Sequence, residues 1–161
     1  MYVDGCVSCD TLVGKIKPPS GLVYENGHWI VFLRYRPMVL GYSFIVLKRH
    51  CEHLAELTPE EALTFGPIMQ KTCLALSRVL QPKPAKIYVS SWGEGVKHIH
   101  FHVLPRAPKM PAGNRPVSLL LLIYGFLNKL GLKKAYSNEE VAKVAEQVRM
   151  EFQGIIQEEE K

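Results

Sequence analysis

With 161 residues, 47% of them apolar, the chain has material for one hydrophobic core and not for two. Its longest apolar run, Leu119 to Tyr124, falls far short of the roughly 20 residues that cross a bilayer; the amino terminus lacks the order of a secretory signal, and four cysteines do not suggest a disulfide scaffold, so a cytoplasmic protein with no membrane partner is expected. The net charge of +5 combines a basic body, with 17 Lys and Arg against 8 Asp and Glu in residues 1–136, and an acidic tail, with 3 against 7 in residues 137–161. Such a body attracts phosphates. Nucleic acid is the weaker partner, because no basic run is interleaved with aromatics.

In chain order, the first feature is Cys6-x-x-Cys9. By itself the pair is open between a metal site, a redox site and spare thiols. A thioredoxin-like reading is disfavoured, because no strand fits into the five residues before it. Trp29–Leu33 and Tyr42–Leu47 have the bulk and branching of strands, and Pro37 and Gly41 mark the turn of an antiparallel pair. Thr58-Pro59-Glu60-Glu61 has the order of a capping box and predicts a helix to about Leu80, with Pro67 expected to kink it. A proline-bearing loop follows, then a third strand over Ile87–Ser90 and a glycine turn at Trp92-Gly93-Glu94-Gly95. A strand His98–Pro105, an irregular crossing over Ala107–Pro116 and a short apolar helix over Ser118–Leu130 come next. Ser137-Asn138-Glu139-Glu140 caps a last helix, in which Val141, Val144, Ala145, Val148, Phe152 and Ile155 recur at helical spacing.

Side chains alternate along a strand, so His98, His100 and His102 are expected on one face, with Ile99, Phe101 and Val103 on the other. Half of the chain's six histidines lie in this run, which makes chance placement a poor explanation. Two chemistries remain open from the residues alone. Three imidazoles can converge on a catalytic zinc, or they can form a phosphate site in which one imidazole is the nucleophile.

The run His98-Ile99-His100-Phe101-His102-Val103-Leu104 resembles, without a gap, the motif of the histidine-triad (HIT) family. The likeness extends over most of residues 1–106, through Cys6-Val7-Ser8-Cys9, Phe32-Leu33, Pro37, Gly41 and Lys48-Arg49-His50. It implies an α+β fold with an antiparallel sheet of about five strands on one long helix, plus a carboxy-terminal helix. The corresponding domain would span residues 1–110, with residues 111–161 a helical extension packed on it. The resemblance also implies catalytic residues His100, His102 and His98. His100 would attack the phosphorus of a dinucleoside polyphosphate or nucleoside phosphoramidate to give a covalent nucleotidyl-histidine, and His102 would donate a hydrogen bond. Family members that transfer nucleotides carry glutamine at the third position, so His102 points to hydrolysis. A structural zinc on Cys6, Cys9, His50 and His98 is implied as well, together with a homodimer, for which the apolar excess in the capped helix and in Ser118–Leu130 also speaks.

The departures from the family pattern fall among the substrate-binding positions, Arg34, Ser91, Glu94, Gly95 and His102. Arg34 stands where a carboxylate usually holds the ribose, and it offers only donors and a fixed charge. Either it draws an extra phosphate or it turns outward to solvent. Glu94-Gly95 replaces a Gln-Ser pair, and Ser91 replaces an Asn. The alternatives are a zinc-stabilised nucleotide-binding or regulatory protein with little turnover, a nucleotidyltransferase or phosphorylase, and a metal-dependent hydrolase with zinc on all three triad histidines.

Overall fold

The computed structural model describes residues 2–18, 20–106, 110 and 117–160, so most of the crossing expected over 107–116 lies outside the described residues. The elements are α1 (Val7–Leu12), β1 (Tyr24–Glu25), β2 (Trp29–Leu33), β3 (Ser43–Leu47), a 3-10 turn at Leu54–Glu56, α2 (Pro59–Val79), β4 (Lys86–Ser90), β5 (His100–Arg106), α3 (Val117–Lys129) and α4 (Asn138–Glu159). One antiparallel five-stranded sheet has the order β1-β2-β3-β5-β4. This is the α+β architecture expected from the sequence. Among the described residues, no helix is long and apolar enough to cross a membrane.

The position of β5 decides the geometry of the histidines. It lies between β3, with Phe44 opposite His102 and Val46 opposite His100, and β4, with Ser90 opposite His102. Backbone pairing on both sides holds the strand rigid. Phe101 faces the core, its ring 4.1 Å from Phe65 and 6.0 Å from Trp29 between centroids. The strand begins two residues later than predicted, because β3 ends at Leu47 and the chain beyond it turns. Ile99 still bonds Leu47 through its carbonyl, but its N–H donates to Cys51. His98 therefore stands outside the ladder.

Helix α2 begins as predicted, with the Thr58 side chain accepting from the Glu61 N–H and the Glu61 carboxylate accepting from the Thr58 N–H. It runs continuously through Pro67 to Val79. The missing N–H would have met the carbonyl of Leu63, an exposed residue whose carbonyl water can serve. The turn before β3 closes on α2: Gly41 has φ +80°, and a Cβ there would come within 2.7 Å of Leu80. Helix α4 buries Val141, Ala145, Val148, Phe152 and Ile155 in the same core as the sheet and α2. Arg78 bonds Glu151 and Glu158, and Lys71 pairs with Glu159 across the two helices.

Glu61 is 3% exposed and receives two hydrogen bonds of 2.8 Å from Arg49. The Arg49 guanidinium holds its carboxyl at about 2, well below the usual carboxylate range. A depressed acid stabilises the fold fully above its unfolded pKa and loses that contribution as pH falls through the folded value. After discounting for the solvent that screens Arg49, this amounts to roughly 2 kcal/mol. Denaturation of wild type and Glu61→Gln should show that difference at pH 7 and its disappearance near pH 2.

Candidate active site and metal cluster

His100 and His102 project from the face of β5 opposite Phe101, with ring centroids 4.8 Å apart. His100 Nδ1 lies 2.8 Å from the carbonyl of His98. A carbonyl only accepts, so Nδ1 carries the hydrogen and Nε2 keeps its lone pair. At His102 the partner is a hydroxyl, which can donate as well as accept. Its Nδ1 is 2.6 Å from the hydroxyl of Tyr42, a residue only 2% exposed. Burial raises the Tyr42 phenol, and burial, His100 and the Arg34 charge hold the His102 imidazole at about 4. At neutral pH both groups are uncharged, and the tautomer of His102 in which Nδ1 accepts a hydrogen bond from the Tyr42 hydroxyl presents Nε2–H as a donor. One strand face thus carries a ring with a free lone pair beside a ring that can present an N–H.

His98 faces elsewhere. It is 1% exposed, and its Nε2 is 2.7 Å from the carbonyl of Leu47. Its Nδ1 lies 3.4 Å from Cys6 Sγ and 3.6 Å from Cys9 Sγ, while His50 Nδ1 is 3.4 Å from Cys9 Sγ. The expectation that all three histidines line one strand face is corrected here, and zinc held by all three is disfavoured with it. Helix α1 places Cys6 as its N-cap and Cys9 one turn later, which converges both sulfurs on the two rings.

The donor chemistry of this cluster fits a metal ion. The four ligand atoms lie within 4.8 Å of one another. The Leu47 carbonyl fixes the hydrogen of His98 on Nε2, so its Nδ1 lone pair faces the sulfurs, and Glu52 lies 3.5 Å from His50 Nε2. Outer partners of this kind orient metal-binding histidines. Burial pushes the Cys9 thiol up, so thiolates here call for a cation. Two sulfurs and two imidazoles are a donor set that would suit a closed structural zinc site.

A cavity of about 850 Å³ opens in front of His100 and His102. Phe32, Phe44, Val46 and Trp92 give it an apolar lining, and Val7, Ser8, Thr11, Ile16, Lys17 and Pro18 supply another wall. Arg34 lies at its edge, exposed, with Cζ 5.1 Å above the Tyr42 ring. Glu94 and Gly95 line the cavity, whereas Ser91, half-buried just past β4, is not among its lining residues. Tyr42 and Trp92, whose ring centroid is 4.5 Å from that of His102, were not among the predicted site residues. Alternation along β3 puts Tyr42 on the face of Phe44, but only the β3–β5 register places that face against His102.

The HIT domain family model matches residues 16–109. An uncharacterized HIT-like protein of Methanocaldococcus jannaschii is 29% identical over 107 residues, 63% of this chain and 78% of the relative. A Zn-bound histidine triad family protein from Mycobacterium smegmatis shares the fold at TM-score 0.66 and 19% identity, covering 95% of this chain and 96% of that one. A HIT family hydrolase from Clostridium thermocellum does so at TM-score 0.51 and 20% identity, over 69% of this chain and 98% of its own.

Proposed function

The chain belongs to the HIT family, and on that premise we propose that it hydrolyses a nucleotidyl phosphoanhydride or phosphoramidate bond through a covalent nucleotidyl-histidine at His100. The observation that carries this reading is the hydrogen bond from His100 Nδ1 to the His98 carbonyl, which leaves Nε2 free to attack. Nε2 bonds to the α-phosphorus as the bond to the leaving phosphate or amine breaks; an amine takes its proton from solvent. Water then cleaves the phosphorus–nitrogen bond and releases the nucleoside monophosphate. His102 Nε2–H donates to a phosphoryl oxygen in both steps, in a site where burial strengthens that contact.

Cys6, Cys9, His50 and His98 would hold zinc, which in a closed set supplies folding energy and no reacting ligand. Catalytic work falls to His100 and His102, with His98 acting on the nucleophile through its carbonyl. A homodimer goes with this reading, supported by the exposed stripe Leu119, Leu122, Phe126 and Leu130 along and just beyond α3.

Arg34 favours a second reading, a nucleotide-binding protein with little turnover, because a donor-only side chain sits at the cavity edge where the family holds ribose. A panel of diadenosine polyphosphates and adenosine phosphoramidates separates the two. Release of AMP at several turnovers per chain supports the hydrolase, whereas AMP binding without turnover of any member supports the second reading. Tyr42→Phe should lower kcat about 10- to 100-fold with little change in KM, the size of effect seen for partners that orient a functional imidazole. Steady-state kinetics at pH 7 check this.

A further inference from the structure

Helix α1 and the residues around it are attached to the molecule in an unusual way. Of the six residues of α1 only Ser8 and Cys9 are buried. Among the described residues, no residue before Val23 belongs to either hydrophobic cluster of the core. The backbone bonds of residues 2–17 close within the segment, as in Ile16 to Asp10 and Cys6 to Val3, and so do the bonds among Tyr2, Asp4, Asp10 and Lys15. Among the described residues, the polar contacts that leave this segment are the sulfur contacts of Cys6 and Cys9 with His50 and His98.

The same segment forms a wall of the cavity in front of the two catalytic imidazoles, through Val7, Ser8, Thr11 and Ile16. From these two facts we propose that the cysteine–histidine cluster is a clasp: with metal bound it holds Val7–Pro18 as a wall of the substrate cavity, and without metal the wall is released and ligand binding is lost while the sheet stays folded. The inference rests on the reading of this cavity as the substrate site. A metal joining four ligands replaces weak thiol–imidazole contacts with strong bonds, so the free energy of opening this segment follows metal occupancy far more than that of the core does. The clasp also reaches the reaction centre from a second side, because His98 gives its ring to the cluster and its carbonyl to His100. Binding at the cavity and occupancy of the cluster are therefore linked, and the linkage is reciprocal.

The test uses the full chain loaded with zinc, the same protein stripped by a chelator and then reloaded, and the Cys6→Ser variant. Amide hydrogen exchange is followed by peptide mass, and AMP affinity by calorimetry. The clasp predicts that stripping speeds exchange in residues 7–18 and leaves β2, β3 and α2 protected. AMP affinity should fall at least ~10-fold and return with zinc, and Cys6→Ser should resemble the stripped state. Unchanged exchange in residues 7–18, or exchange that rises equally throughout the core, would overturn it. So would full AMP affinity in the stripped protein. If the zinc-loaded chain binds no AMP, the substrate reading fails and the exchange data alone decide the clasp. Should Cys6→Ser not fold, the stripped wild type carries the comparison.

Discussion

His100→Ala should lower kcat by at least ~10³ against any substrate that the wild type turns over, with KM changed far less. The expectation follows from geometry: the Nε2 lone pair of His100 is left free by the bond of Nδ1 to His98. On the proposed mechanism, removing that ring removes the nucleophile while leaving His102 and the apolar cavity in place. The variant should therefore still bind AMP. His100 is half-buried and its ring packs on Phe44 and His102, so a folding check by denaturation accompanies the kinetics. Near-normal turnover by a folded His100→Ala protein would mean that the bond to phosphorus is made elsewhere.

Phe152→Ala should have the largest effect on stability, about 3–5 kcal/mol. Phe152 is 1% exposed, and its ring stacks on Tyr24 at 4.9 Å between centroids with a 12° interplanar angle. It thus joins α4 to the edge strand β1 over a core that also includes Leu76 and Val148. Truncation leaves a cavity where helix and sheet meet, and the surrounding rigid elements collapse into it only partially. Urea denaturation should show a lowered midpoint with an unchanged m-value. A loss below about 1 kcal/mol would mean that α4 folds as an appendage and not as part of the core.

What could be read from the sequence was what short-range chemistry decides. Both capping boxes start their helices where Thr58 and Ser137 put them, and the alternation of His100, Phe101 and His102 gives the two faces of β5. Helix α1 and strand β1, at six and two residues, are too short to leave a periodic signal, and both were absent from the sequence-based expectation. His98 departs from the strand face because the end of β3 at Leu47, and not local pattern, decides where the ladder begins. The roles of Tyr42 and Arg34 depend on long-range pairing. Tyr42 reaches His102 only because β3 lies beside β5, and Arg34 has a place over its ring that no local motif encodes. Ser91, placed in the pocket by the family resemblance, sits just past the end of β4 and is not among the residues that line the cavity.

The most direct test of the central claim is to mix protein and substrate at comparable concentrations, quench within the first turnover in base, where a phosphorus–nitrogen bond to histidine persists, and measure intact mass. Wild type should gain the mass of one nucleotidyl group, located on the peptide that contains His100, and His100→Ala should gain none. Turnover in wild type with no adduct at any quench time, or an adduct of equal yield in His100→Ala, would contradict a covalent mechanism at His100.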